Sequence, residues 1–310
     1  MKVLIAPDKF RGSASAAEVA CAIAAGAESA GATTRQQPLA DGGEGTLEVL
    51  GGANRTTTVT GPLGDPVDAP WRLHRAEAVI EMASASGLEL VGGPAGNDPL
   101  AASTAGTGEL ISSAVDLGAR RIIVGLGGSA TTDGGLAALR ALYPLPRLKG
   151  VELIVACDVD TTFVDAAEVF APQKGASPAQ VALLTRRLQR LAEVYRQDHG
   201  IDVTAPPGTG AAGGLAGGLL VAGGHLRPGF ELVADEVDLD GAFADVDLVI
   251  TGEGRLDDQS FHGKVVGGVV GWATDRGVPV LAIAGTVDES VTPPMPVVSL
   301  VDRYGADRSF

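Results

Sequence analysis

The chain has 310 residues, of which 45% are hydrophobic, and a formal net charge of −15. So acidic a chain gains no counterion-release energy on a nucleic-acid backbone, which excludes a nucleic-acid partner; phosphate or carboxylate ligands must be held by local N–H groups and a few cations. The apolar content is ample for a core and carries no signature of disorder.

Lys2–Ala6 is a short apolar run of the kind expected of a parallel strand buried on both faces. It leads into Pro7-Asp8-Lys9-Phe10-Arg11-Gly12-Ser13, and Ser15 with Glu18 forms a capping box that opens an Ala-rich helix to about Ala30. Strand, polar loop, capped helix is the start of a βαβ unit. Leu39-Ala-Asp41-Gly-Gly-Glu44-Gly-Thr46 places two acids around two glycines, either as an acidic turn or as a loop that holds Mg²⁺ near a phosphate. Val59–Leu73 alternates between Gly and Pro breaks and suggests a hairpin.

Arg121–Gly125 is a second buried-type strand, and a helix follows near Leu136–Tyr143. Between them the glycines and hydroxyls of Gly127, Gly128, Ser129, Thr131 and Asp133 give a nest of N–H donors beside a helix terminus, which suits a phosphoryl group. Leu153–Cys157 is a strand ending at Asp158, the turn 170–176 carries the rare Lys174, and Pro178–His199 is a long charged helix. The tract around Gly210, Gly213 and Gly214 follows two prolines rather than a strand. It is either a tightly packed helix start or a nucleotide-facing loop, not a dinucleotide fingerprint.

Leu248–Thr251 is a strand ending in Gly252-Glu253-Gly254-Arg255; Val280–Ala284 and Val297–Val301 complete the series. Several apolar strands thus end in a charged residue beside glycine, and ligands of open α/β sheets bind outside those strand ends. The expected architecture is α/β: a doubly wound, Rossmann-like parallel sheet from residues 1–58 plus 240–310, a second α/β domain inserted at 59–239, and the active site in the cleft between them. Arg255 and Lys264 are either structural ion pairs or grips for a substrate carboxylate and a phosphoryl group. Cys21 and Cys157 are read as buried thiols of a reducing compartment, and the scattered histidines argue against zinc. With no signal-peptide pattern and no apolar run long enough to span a bilayer, the expectation is a cytoplasmic protein without a membrane partner; a homo-oligomer is left open.

Six strings, in order across nearly the whole chain, resemble the bacterial glycerate kinase family: 6–13 (Ala-Pro-Asp-Lys-Phe-Arg-Gly-Ser), 40–46, 125–135, 170–176, 210–215 and 250–257. Arg11 stands where the family usually has Lys, and Thr161-Thr162-Phe163 where it usually has Asn-Pro-Leu. The resemblance implies a flavodoxin-like domain with an insertion, ATP with Mg²⁺, and D-glycerate as acceptor, most often at the 2-hydroxyl. On that footing Asp8, Lys9, Arg255 and Lys264 are expected to bind substrate, and Asp41, Glu44 or Asp133 to hold Mg²⁺. The 127–133 residues with Gly210, Gly213 and Gly214 would hold nucleotide, and Asp158 would orient or deprotonate the hydroxyl, with Lys9, Arg255 and Asp41 completing the catalytic set. The alternatives are a kinase for a related small sugar acid and a non-catalytic nucleotide- or sugar-acid-binding protein on the same scaffold.

Overall fold

The computed structural model describes residues 1–305. Among them eleven strands follow in chain order: β1 (Lys2–Ile5), β2 (Thr33–Gln36), β3 (Arg55–Thr60), β4 (Pro66–His74), β5 (Glu77–Glu81), β6 (Arg121–Gly125), β7 (Glu152–Cys157), β8 (His225–Pro228), β9 (Leu248–Leu256), β10 (Val280–Val287) and β11 (Val297–Ser299). The chain forms two compact units, one from Met1–Leu50 with Pro228–Phe310 and one from Gly51–Arg227. The edges expected at 58/59 and 239/240 therefore move. β3 belongs to the inserted unit because all six of its residues pair with β4, and the helix Gly229–Glu236 belongs to the first unit because Phe230, Val233 and Ala234 pack in that unit's core.

The first unit holds a five-stranded sheet in the order β2-β1-β9-β10-β11, parallel throughout. Numbered within the unit this is 2-1-3-4-5, the flavodoxin order, whose direction of winding reverses between β1 and β9. Both faces are covered, as a parallel sheet requires. Val3 and Ile5 pack with Ala20 and Ala24 of the helix Ala16–Ser29 on one side; Leu4 and Ala6 pack with Phe230, Val233 and Val265 on the other. The capping box at Ser15 is present, with Glu18 N–H donating to Ser15 Oγ (3.3 Å) and Ser15 N–H to Glu18 Oε2 (2.9 Å). β9 does not stop at Thr251. It stays extended through Leu256 because β10 pairs with it along its whole length, so Glu253 and Arg255 lie in a strand rather than a turn. Gly252 permits this: a Cβ there would lie 2.0 Å from the Ile283 carbonyl oxygen.

The inserted unit holds a six-stranded sheet, β3-β4-β5-β6-β7-β8. The expected hairpin is β3/β4, antiparallel, as is β4/β5; β5, β6 and β7 run parallel. Register aligns Glu81, Gly125 and Ala156, so the segments leaving β5, β6 and β7 emerge at one edge. Trp71 and Phe163 anchor the core, with the Phe163 ring set edge-on to Tyr195 at 6.0 Å. The helix Ala211–Val221 opens with three left-handed residues, Ala212, Gly213 and Gly214. A Cβ on Gly213 would fall 2.0 Å from the Thr131 carbonyl oxygen, so that backbone is pressed against the loop after β6.

Candidate active site

In the first unit, β1 and β9 lie side by side and deliver charge at their carboxyl ends. Asp8 N–H donates to Gly252 O (2.8 Å), which fixes Asp8 beside β9. Lys9 Nζ donates to Glu44 O (2.6 Å) and stands 3.9 Å from Asp8 Oδ1. Burial pushes the Asp8 carboxyl up to about 7; Lys9 opposes this, and the neighbouring Asp41 charge adds to it. Glu253 behaves alike: burial raises it to about 7, with Asp8 adding and a Ser260 hydrogen bond and Lys264 opposing. Glu253 Oε1 is buried with no hydrogen-bond partner. Lys264 occupies the N-cap of the helix Val265–Asp275, close enough to both carboxylates to pull them down.

Asp8, Lys9, Asp41 and Lys264 are thus brought together with Glu253, which the sequence places among the strand-end charges but to which it assigns no role of its own. The signal was an acid between two glycines, but its burial depends on β10. Two members of the set stand at its margin. Arg255 is exposed and paired with Asp288 (2.9 Å), and hydrogen bonds from Ser290, then Arg255, hold Asp288 at about 2. Glu44 is exposed and pairs with Arg11 at 3.7 Å, so the Lys-to-Arg change keeps a cation there. Asp41 Oδ1 accepts from Gly43 N–H (3.1 Å), closing its own turn. Cys21 is exposed rather than buried, on the outer face of its helix, while Cys157 is buried as expected.

In the inserted unit the loop after β6 divides into two parts. Gly127, Gly128 and Ser129 are accessible, whereas Thr131 and Thr132 are buried. Lys174, 2% exposed, reaches this loop from the turn Pro172–Lys174, donating to Ser129 Oγ and Thr131 O at 2.7 Å each. Burial draws its ammonium down to about 7, against the pull of Asp133. Asn97 ties the same region together through Ala130 O (3.0 Å) and Lys174 O (2.9 Å).

The Asp133 carboxylate is engaged by backbone and hydroxyl donors. Its oxygens accept from Thr104 N–H (3.0 Å), Thr104 Oγ1 (2.8 Å), Gly135 N–H (3.1 Å) and Ala137 N–H (3.4 Å), so it clamps the starts of two helices. Burial raises its carboxyl, and those donors oppose the rise. Thr131, fully buried, accepts from Lys174 through its carbonyl and donates its hydroxyl to Ala212 O (3.4 Å). Gly210, Gly213 and Gly214 are buried, and a Cβ at any of them would fall within 3 Å of Thr162 O, Thr131 O or the Gly134 backbone. The tract is therefore a tightly packed helix start. Asp158 leaves β7 at the edge from which the loop after β6 emerges, Leu126 N–H donating to Ala156 O at 3.3 Å. Among the described residues no group of three or more His, Cys, Asp or Glu side chains is placed to hold a metal alone, and no helix is long and apolar enough to cross a membrane.

The chain is similar to known proteins along nearly its whole length. The glycerate kinase family profile matches residues 3–143 and 144–296. The glycerate 2-kinase of Escherichia coli is 41% identical, covering 100% of this chain and 90% of that protein, and the glycerate kinase of Bacillus subtilis is 42% identical with the same coverages. A solved Salmonella typhimurium structure assigned as glycerate kinase 2 superposes with a TM-score of 0.83 at 39% identity, over 100% of this chain and 95% of that one. With its six motifs in order and its fold matched end to end, the chain belongs to the glycerate kinase family of enzymes.

Proposed function

We propose that this enzyme phosphorylates D-glycerate at the 2-hydroxyl with ATP as donor. The observation that supports this best is the half-buried set of acids and amines at the carboxyl ends of β1 and β9. Two carboxyls held near neutrality beside Lys9 and Lys264 suit a site that must bind an anion and accept a proton. Lys9 and Lys264 meet the glycerate carboxylate and the incoming phosphoryl group, while Asp8 orients the hydroxyls. Arg255 exchanges Asp288 for a phosphoryl oxygen, a cheap exchange because an exposed ion pair contributes only about 0–1 kcal/mol. Gly127, Gly128 and Ser129, backed by Lys174, cradle the donor's phosphates.

In the reaction the glycerate 2-oxygen attacks the γ-phosphorus, the bond from that phosphorus to the β,γ-bridging oxygen breaks, and ADP departs. The hydroxyl proton passes to a carboxylate. Glu253 is favoured over Asp158 for this role because one of its oxygens is buried without a partner and its carboxyl is raised. Asp41 and Glu44 offer only carboxylate oxygens, which fits Mg²⁺; that ion takes one or two carboxylates and completes its shell with phosphate oxygens and water. Asp41, with Glu44 beside it, would hold the ion, which supplies charge neutralisation at the phosphoryl oxygens.

The deciding assay couples ATP-dependent turnover of D-glycerate to enolase without phosphoglycerate mutase. A signal is expected, because enolase requires 2-phosphoglycerate. A signal that appears only after mutase is added moves the phosphate to the 3-position, and no ADP formation at all rejects the reading.

A further inference from the structure

The inserted unit has a cavity of about 480 Å³ that the site above does not use. Its size falls in the range of small-molecule sites, roughly 300–1,000 Å³. It lies between the segment 99–102, the end of the loop after β6 and one face of the helix Pro178–His199. Leu136 and Leu191 contribute apolar wall, and Arg186, Arg187 and Arg190 line it from successive turns of the helix. In a chain carrying fifteen excess negative charges, three arginines within five residues facing one cavity are a local reversal of sign. Arg187 donates to Leu100 O (3.0 Å) and Arg190 to Glu193 (2.7 Å); Arg186 makes no hydrogen bond or ion pair among the described residues. Thr132, 2% exposed, and Asp133, whose carboxylate is engaged by Thr104 and the Gly135 and Ala137 N–H groups, complete the wall.

An apolar slot with guanidinium groups at its margin matches a ligand with a flat heteroaromatic body and an anionic tail. Guanidinium planes stack on such rings and pair with phosphate oxygens. Thr132 is three residues from Ser129, at most roughly 10 Å of chain, which is shorter than an extended nucleoside triphosphate. We infer that this cavity receives the purine base and ribose of the phosphoryl donor, with Arg186 and Arg190 meeting its tail, while the phosphates run back along the loop to Gly127–Ser129. The inference rests on the ATP-dependent reading above and adds the place where the base is bound.

The test uses the full-length protein. Photolabelling with 8-azidoadenosine diphosphate, competed by ATP, should mark peptides containing 98–102 or 186–194. Binding of a fluorescent N-methylanthraniloyl ADP should weaken about tenfold or more in Arg186→Glu, an exposed position that leaves the fold intact, and in Leu191→Trp, which fills the slot. Wild-type protein that binds the probe but labels elsewhere, with both variants binding as tightly, overturns the cavity while leaving ATP as donor. Wild-type protein that binds no adenine nucleotide, yet turns over glycerate with another phosphoryl donor, overturns the cavity and the ATP reading together.

Discussion

Glu253 combines two properties that pull in opposite directions: the proposed role asks it to take up a proton from its ionised form, and its burial makes that charge unwelcome. Its carboxyl and that of Asp8 sit at about 7 in the folded chain against ordinary values of 4.5 and 3.8. Between those ordinary values and about 7 the folded state binds more protons than the unfolded one, so stability falls as pH rises through that window. At pH 8 both groups are ionised, and their repulsion and burial work against the fold. Glu253→Gln removes one of the two charges and should raise the melting temperature at pH 8 by a few degrees, the gain fading toward pH 5. The same variant should lose about 10²–10⁴-fold in kcat. Activity of the unaltered enzyme should rise with pH through about 7 as the acceptor ionises, and this limb should vanish from the residual activity of Glu253→Gln. A variant that is more stable but fully active would return the role of proton acceptor to Asp158. Asp158→Asn, measured in parallel, separates the two.

At the scale of elements, the loop after β6 is held by a charge from another part of the chain. Lys174 spends two hydrogen bonds on Ser129 Oγ and Thr131 O, so removing the ammonium leaves both without their donor and frees the accessible Gly127–Ser129 stretch. Lys174→Met, similar in length, should therefore weaken nucleotide affinity more than glycerate affinity, which separate KM values for the two substrates will show. It should also flatten a pH dependence. Between about 7 and its ordinary 10.5 the buried lysine is deprotonated in the folded chain and protonated in the unfolded one, so wild-type stability rises with pH there and the variant's should not. Equal pH slopes in the two proteins would place the ammonium in a less costly setting than its burial implies. These elements also show where sequence patterns suffice. β1, β6, β7 and the helix Pro178–His199 are legible because apolar runs, capping residues and a terminal glycine are local signals. The extension of β9 to Leu256, the burial of Lys174 and the clamp made by Asp133 are not, because each is imposed by a partner remote in sequence: β10, Ser129 and Thr104. Likewise a glycine-rich string announces that a backbone comes close to something, and leaves open whether that is a phosphate or, as at Gly213, the Thr131 carbonyl.

For the whole molecule, the division into two units sets which parts can stand alone. The first unit is assembled from both ends of the chain: β1 and β2 find β9 only after some two hundred intervening residues, and neither segment carries the complete sheet. The inserted unit is one continuous stretch, Gly51–Arg227, with its own six-stranded sheet and a core that includes Trp71, Phe163 and Tyr195. A continuous domain of this kind, with a private core, has what independent folding requires. Expressed alone, residues 51–227 should melt in one cooperative transition and keep near-native circular dichroism, whereas residues 1–50 alone should remain unfolded. Because the cavity between the helix Pro178–His199 and segment 99–102 lies wholly within it, the excised unit should still bind the fluorescent ADP analogue, yet it should transfer no phosphate to glycerate, since Lys9, Glu253 and Lys264 are gone. Folding with nucleotide binding but no transfer would assign donor binding to the insertion and acceptor chemistry to the sheet it interrupts. A folded excised unit that binds no nucleotide, when the full chain does, would instead make donor binding depend on residues of the first unit.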